Sequence, residues 1–221
     1  MKERPILFQG AMVRALLAGT KTQTRREVNW KRLHKSAGLP FPTKCCLAWF
    51  KLLNGWGLDA RDGVMREVAC PYGKVGDLLW VKETFRVNGT MAGPKITYAA
   101  DDAARWPAGC PDDCADWVAD DNHWRPSIFM RRYASRVLLE ITAVRVERLR
   151  AITEADAKAE GVVPEPENHT AAAVAYIFGA KEFLAHTSAY ATLWEQLNGR
   201  GSWALNPWVW VIEFRRVAPP P

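Results

Sequence analysis

The chain has 221 residues, a net charge of +6 and a pI near 9.2, and 48% of its residues are hydrophobic. This length and composition predict a single globular domain with an ordinary core. No apolar run approaches the roughly 20 residues that span a bilayer, and the polar N-terminus is unlike a signal peptide, so we expect a cytoplasmic protein with no membrane partner. The positive charge suits a nucleic-acid partner, because basic side chains release counterions from a polyanion.

Hydrophobic periodicity and end signals predict the helices and strands. In chain order they are a strand over 4–8, a helix over 10–18, strands over 75–82, 95–99 and 137–149, helices over 155–161 and 180–197, and a closing strand over 208–214. Gly19 ends the first helix, and Thr153 can cap the second. The apolar phase of the longest strand slips between Ala143 and Val144, which predicts a bulge or corner. Short strands with a cornered member and peripheral helices are typical of a small closed barrel.

Two stretches are interpreted as insertions. Residues 27–70 carry scattered basic residues without sustained alternation. Residues 85–130 include a run rich in Asp, Pro and Gly, the composition of an exposed loop. We therefore predict one domain over 1–217 with two long insertions, followed by a disordered tail at 218–221.

The five cysteines are an odd number, which favours free thiols over a disulfide framework in a protein that is not exported. Cys110 and Cys114 have a spacing that zinc sites use, with Cys70 and His123 as conceivable further ligands. The other two cysteines are adjacent in sequence and awkward as ligands of one metal. We therefore expect no metal or other cofactor, with this zinc site as the alternative.

Four motifs follow one another along the chain. They are GTKTQTRR at 19–26, KVGDLLWV at 74–81, ITEADAKAEG at 152–161 and WVWVIEF at 208–214. Together they resemble the landmarks of ASCH domains, and the segments 124–130 and 206–210 are similar to those of longer ASCH-like proteins of phages and prophages. The resemblance implies an α+β fold: a small PUA-like β-barrel of five to six strands with peripheral helices and long loop insertions. It also implies a bacterial or phage-infected cytoplasm.

The resemblance carries an expected activity as well. Proteins of this superfold hold a nucleobase or nucleoside in a pocket on the barrel, and one ASCH type hydrolyses N4-acetylcytidine with a Lys, a Thr and a Glu. Matched by motif, those roles fall on Lys21, Thr24 and Glu160. This implies a metal-independent amidohydrolase that acts on N4-acylated cytidine or a related modified nucleoside. A non-catalytic module that binds RNA or a modified base is an alternative, as is a ribonuclease-like enzyme, and DNA is a further candidate partner.

Two arrangements of these three residues satisfy the chemistry of amide hydrolysis, which needs a nucleophile, a base and positive charge at the oxyanion. In one, Lys21 with a lowered pKa activates Thr24. In the other, Glu160 activates a water while protonated Lys21 steadies the oxyanion. Because side chains alternate along a strand, joint action of Lys21 and Thr24 predicts that their segment is not a straight strand.

Basic and aromatic residues supply candidate contacts with a nucleic-acid strand. The candidate phosphate contacts are Arg25, Arg26, Arg131 and Arg132. The candidate stacking rings are Trp124, Tyr133 and Trp203. The same arginines are equally compatible with a solvated basic surface, and Glu160 with a charged position on the outside of a helix.

Overall fold

The protein is described here by a computed structural model that covers residues 1–29, 48–52, 55–59, 65–90, 93–101, 104–105, 123–162 and 185–217. The helices and strands of these residues are, in chain order, β1 (Glu3–Leu7), α1 (Gly10–Leu17), β2 (Gln23–Glu27), β3 (Ala48–Leu52), β4 (Gly55–Asp59), β5 (Met65–Val68), β6 (Leu78–Lys82), β7 (Phe85–Thr90), β8 (Gly93–Tyr98), β9 (Ala104–Arg105), β10 (Leu138–Arg148), α2 (Glu154–Ala159), α3 (His186–Asn198) and β11 (Trp208–Val217). The predicted tail at 218–221 lies outside the described residues.

A five-stranded sheet has the order β1-β6-β10-β11-β2. Strand β1 is parallel to β6, with Glu3 opposite Leu78, while β10 is antiparallel to β6 and β11 is antiparallel to β2. Together with the helices, this sheet confirms the α+β class. Within the part of the chain that the structure describes, β1 and β2 are the outermost strands of an open order, so a closed barrel stays a prediction.

The remaining strands form two antiparallel three-stranded sheets, β3-β4-β5 and β7-β8-β9. They fall within the two stretches that we interpreted as insertions. Strand β8 overlaps the strand predicted over 95–99, whereas the other five strands were not predicted from the sequence. These strands are two to six residues long. Glycines also interrupt several of them, so their sequences show little of the sustained alternation on which strand prediction depends.

The chain divides into two compact units. Unit 1 comprises Met1–Thr20, Val75–Thr142 and Phe214–Pro221, and unit 2 comprises Lys21–Lys74 and Ala143–Glu213. No helix among the described residues is long and apolar enough to cross a membrane.

Unit 1 contains a buried apolar cluster on β7, β8 and the segment that leads into β10, formed by Phe85, Val87, Ile96, Tyr98, Met130 and Ala134. At the start of β6, the backbone N–H of Gly76 donates to Ile141, and the carboxylate of Asp77 accepts from the backbone N–H of Lys2 at 2.9 Å. The Gly-Asp pair therefore fixes the turn into β6 against the neighbouring strand and the start of the chain.

Unit 2 is built around a cluster that joins α2, α3 and β11, formed by Leu149, Ile152, Ala157, Tyr190, Trp194, Val209 and Val211. The buried positions of β10 change phase along the strand, from Leu139 and Ile141 to Val146, as the slip in the apolar pattern predicts. The polar residues of α2 and β2 described below belong to this same unit.

Candidate functional site

The backbone around Gly19 positions Lys21 next to Glu160. Helix α1 ends before Gly19, whose φ of 76° is the left-handed conformation that glycine adopts at low cost. Lys21 forms an isolated β-bridge with Glu160, and the backbone N–H of Thr22 donates to Ala159 at 2.8 Å. Regular strand geometry begins at Gln23, two residues after this bridge.

Helix α2 positions Glu160 next to Lys21. Thr153 caps its N-terminus by accepting from the backbone N–H of Asp156 at 3.1 Å, and the Asp156 carboxylate accepts from the Thr153 backbone in return. Glu160 is the C-terminal cap, and Gly161 then turns the chain with a φ of 77°. Because the helix has only six residues, the Thr153 cap at its N-terminus also fixes the position of Glu160 at its C-terminus.

Lys21 and Glu160 form a buried ion pair whose side chains are 1% and 3% exposed. The Lys21 Nζ donates to Glu160 Oε2 at 2.7 Å and to the Glu160 backbone carbonyl at 2.9 Å. Burial lowers the pKa of Lys21 below its usual value, because the loss of solvation outweighs the opposing charge and hydrogen bond of Glu160. The pair therefore holds a carboxylate next to an amine that gives up its proton more readily than a solvated lysine.

Arg25 extends this pair into a larger charged cluster. Its side chain is fully buried, and Nη2 lies 3.3 Å from Glu147 Oε2 and 3.2 Å from Asp156 Oδ2. Its Nη1 lies 3.9 Å from Glu160 Oε1, an ion pair too long for a hydrogen bond. Burial opposes ionisation of Asp156, but hydrogen bonds from Thr153 and the charge of Arg25 keep the pKa of Asp156 below its usual value.

Arg145 holds the outer side of the cluster together. It donates to Glu147 Oε1 at 2.6 Å, to Asp156 Oδ1 at 2.7 Å and to Gln23 Oε1 at 3.0 Å, and it also pairs with Glu213. Strands β2, β10 and β11 and helix α2 thus each contribute to one polar network. Ion-pair networks of this kind hold their members in a defined geometry.

Several polar atoms of the network are buried without a hydrogen bond to any described residue: Glu160 Oε1, Arg25 Nε and Nη1, and Gln23 Nε2. Buried polar groups are nearly always paired, and leaving one unmet costs about 1–3 kcal/mol. The set contains one acceptor and donors on two side chains. A ligand that offers both a donor and an acceptor would satisfy it.

Thr24 is buried but is not joined to this pair. Side chains alternate along β2, so Thr24 lies on one face of the strand, while Gln23 and Arg25, which belong to the ion network, lie on the other face. Its cross-strand neighbour on β11 is Ile212. Among the described residues, no hydrogen bond links the Thr24 side chain to Lys21 or Glu160.

Two other predicted contact residues, Arg26 and Trp203, belong to unit 2. Arg26 is half-buried, and its positive charge contributes to lowering the pKa of Lys21. Trp203 is partly buried and meets Tyr190 edge to face with 6.3 Å between ring centroids. Burial and the negative charge of Glu160 raise the pKa of Tyr190. Trp203 is thus mainly a packing residue in this structure.

The remaining predicted contacts belong to unit 1. Arg132 pairs with Glu3 at 2.5 and 3.2 Å, and Tyr133 packs against the apolar cluster of that unit. Arg131 is exposed, and Trp124 is also exposed beneath the guanidinium of Arg86. These four residues therefore belong to a different unit from the Lys21–Glu160 pair.

Only part of the alternative zinc site lies within the described residues. Cys110 and Cys114 lie outside the described residues, while Cys70 belongs to unit 2 and His123 to unit 1. Across the described ranges, no group of three or more His, Cys, Asp or Glu residues is placed to hold a metal ion.

The sequence motifs did not predict the carboxylates that surround Arg25, nor the second arginine, Arg145. One signal was present: Lys21, Gln23 and Arg25 are polar at every second position, the spacing of one strand face. Arg145 and Glu147 repeat that spacing on a strand whose other half is apolar. Two polar faces at this spacing indicate a buried polar layer once the strands share a sheet.

Comparison of the chain with family models, curated proteins and solved structures finds no match. The family and the activity that the motifs suggest therefore remain proposals.

Proposed function

We propose that this protein is an ASCH-type, PUA-like protein that hydrolyses the N4-acyl amide of cytidine or of a related modified nucleoside, with Lys21 and Glu160 as its catalytic pair. The observation that carries the proposal is the ion pair between Lys21 Nζ and Glu160 Oε2, 2.7 Å apart and almost fully shielded from water. A buried lysine with a lowered pKa is a feature of many catalytic sites.

The chemistry follows from the two groups. The Glu160 carboxylate takes a proton from a water molecule, whose oxygen forms a bond to the acyl carbon. The Lys21 ammonium stabilises the resulting oxyanion, and its lowered pKa suits it to protonate the leaving nitrogen as the carbon–nitrogen bond breaks. Proton transfer from Glu160 to Lys21 along their hydrogen bond then restores the pair, leaving a carboxylic acid and the free amino group of the base.

This arrangement is favoured over one in which Thr24 is the nucleophile. Thr24 lies on the face of β2 opposite Arg25, whereas Arg25 and Lys21 both contact Glu160. A water-based mechanism needs only the two groups that are in contact. In this proposal Thr24 has a structural role within the sheet.

The unmet polar atoms support a nucleobase ligand. Glu160 Oε1 can accept from an N–H of the ligand, while Arg25 Nη1, 3.9 Å away, and Gln23 Nε2 can donate to its ring nitrogen or carbonyl. An acylated cytosine presents such a donor beside acceptors on one edge. Because these atoms are buried, substrate binding requires the surrounding residues to open.

The test is hydrolysis of N4-acetylcytidine and a panel of longer N4-acyl cytidines by purified protein, with the released cytidine quantified by chromatography. We expect turnover by the wild type. Glu160→Gln, which keeps the size of the side chain, should lower the rate by about 10²–10⁴-fold, the usual contribution of a general base.

A matched control separates catalysis from general effects of losing a carboxylate. Glu140 belongs to unit 1 and pairs with Arg215, so Glu140→Gln should leave the rate unchanged. Circular dichroism verifies that each variant is folded. Absence of turnover on every substrate by folded wild-type protein would refute the proposal, and saturable binding of N4-acetylcytidine in that case would favour the non-catalytic alternative.

A further inference from the structure

The side-chain amide of Gln23 is buried and held in one orientation. Gln23 is 2% exposed, and its Oε1 accepts from Arg145 Nη2 at 3.0 Å. A guanidinium group has only donors, so it fixes the amide oxygen toward itself and the NH₂ group away from it. The Nε2 atom is buried and makes no hydrogen bond to any described residue. Gln23 therefore presents a fixed donor without an acceptor.

Arg145 is itself held in place by carboxylates from three elements. Its guanidinium donates to Glu147 Oε1 on β10 at 2.6 Å and to Asp156 Oδ1 on α2 at 2.7 Å. It also pairs with Glu213, which lies opposite Gln23 on β11. Charge-assisted hydrogen bonds of this kind are stronger than neutral ones. The guanidinium therefore cannot turn away from the Gln23 amide without breaking several of them.

The unmet donor belongs to the face of β2 that meets the Lys21–Glu160 pair. In sequence, Gln23 lies midway between Lys21 and Arg25, and it shares one face of β2 with Arg25. Both of these flanking residues reach Glu160, since Lys21 Nζ lies 2.7 Å from Oε2 and Arg25 Nη1 lies 3.9 Å from Oε1. The face thus carries one unmet acceptor on Glu160 and unmet donors on Arg25 and Gln23.

This set is complementary to one edge of an N4-acylated cytosine. That edge carries, in order, the amide N–H, the acceptor nitrogen N3 and the 2-carbonyl oxygen. Glu160 Oε1 and Arg25 Nη1, 3.9 Å apart, match the adjacent N–H and N3, which leaves Gln23 Nε2 for the 2-carbonyl. An N6-acylated adenine offers the N–H and the adjacent ring nitrogen but no carbonyl beyond them, so it would leave the Gln23 donor unmet.

We infer that Gln23 is a specificity-determining residue that donates from Nε2 to the 2-carbonyl of the base, with Arg145 as its positioning residue. This role rests on the function proposed above for the identity of the base, but not for its hydrolysis. The site then prefers acylated pyrimidines with a 2-carbonyl over acylated bases without one. A site built to hydrogen-bond a group rejects an analogue that lacks the group, because its own buried donor is left unpaired.

The test compares N4-acetylcytidine with its 2-thio analogue, in which sulfur, a weak acceptor, replaces the 2-carbonyl oxygen. We expect kcat/KM of the wild type to be at least about fivefold higher for N4-acetylcytidine, the lower end of the effect of an unmet buried donor. Isothermal titration calorimetry with cytidine and 2-thiocytidine measures the same preference without turnover. We expect cytidine to bind more tightly.

Substitutions of Gln23 assign the preference to its amide. Gln23→Met removes the donor, so it should lower kcat/KM for N4-acetylcytidine at least about fivefold and abolish the preference over the 2-thio analogue. Gln23→Glu keeps an acceptor for Arg145 and should also abolish the preference. A preference that came from the larger size of sulfur would persist in both variants. Gln196→Met is the matched control, because Gln196 is an exposed glutamine of α3 in the same unit, and it should change neither quantity.

Substitutions of Arg145 test its positioning role. Arg145→Met should reduce the preference for the 2-carbonyl, because the Gln23 amide is then free to rotate. Arg145→Lys still offers a donor to Gln23 Oε1 and should restore part of the preference. A residue with a merely structural role would lower the amount of folded protein and leave the ratio of the two substrates unchanged. Circular dichroism verifies that each variant is folded, and the wild-type comparison needs no variant.

The possible results separate this inference from the proposed hydrolysis. Turnover by the wild type without a preference for the 2-carbonyl would overturn the inference and leave the hydrolysis intact. Tighter binding of cytidine than of 2-thiocytidine without any turnover would support the inference and overturn the hydrolysis. Folded protein that neither binds nor hydrolyses these nucleosides would overturn both. A preference that both Gln23 variants retain would assign the carbonyl to another donor and overturn the inference.

Discussion

Replacing Lys21 with Met should destabilise the protein, because it leaves the buried carboxylate of Glu160 without its main partner. Removing one member of a buried ion pair typically costs about 3–5 kcal/mol. Arg25 Nη1 remains 3.9 Å from Glu160 Oε1 and offsets part of the loss, so we expect the lower end, about 3 kcal/mol. In a chain of this length that corresponds to a fall in Tm of about 6–12 °C.

The measurement is urea unfolding followed by circular dichroism, with Lys158→Met as the matched control. Lys158 is an exposed lysine of α2 in the same unit, and its replacement should change the free energy of unfolding by less than about 0.5 kcal/mol. The double variant Lys21→Met, Glu160→Leu removes both charges and should be more stable than Lys21→Met alone, by about 1 kcal/mol or more.

Two results would refute this reasoning. If Lys21→Met costs no more than Lys158→Met, the ion pair is not shielded from water as the structure has it. If the effects of the two substitutions simply add in the double variant, Lys21 and Glu160 do not interact in the folded protein.

Three further predictions concern the residues that hold the two units in shape. Thr153→Ala removes the cap of α2 and should lower the free energy of unfolding by about 1 kcal/mol; an unchanged urea midpoint would contradict the cap. Arg136→Met removes both hydrogen bonds to the buried Glu83 carboxylate and should cost about 3 kcal/mol or more; a loss near zero would mean that water reaches Glu83. Because burial lowers the pKa of Lys21 from its usual 10.5, the unfolded state binds more protons than the folded state between the two values. Stability should therefore gain a rising contribution as pH increases through that window, and this contribution should be absent from Lys21→Met; identical pH profiles from thermal melts would contradict it.

Elements with local signals were predictable from the sequence. Helix α1 ends where Gly19 adopts a positive φ, and α2 begins at the cap that Thr153 provides. These signals act over three or four neighbouring residues, so a single sequence displays them. The proximity of Lys21 and Glu160 was implied by the resemblance of two motifs, and the structure places these residues in direct contact.

The surroundings of the pair were not predictable in the same way. Arg25 meets Glu147 across 122 positions of sequence, a contact that only the pairing of strands in the sheet creates. The motif at 19–26 also did not reveal that Thr24 lies on the face of β2 opposite Arg25. The face on which a side chain lies depends on where regular strand geometry begins. Which side chains share a face is a property of the folded sheet and not of spacing alone.

The most direct test of the account is the initial rate of acetate release from N4-acetylcytidine by wild-type protein and by Glu160→Gln, both verified as folded. We expect measurable turnover by the wild type and a loss of at least about 100-fold in the variant. Turnover that Glu160→Gln retains would place the chemistry elsewhere, and no turnover by the folded wild type would contradict the proposed function.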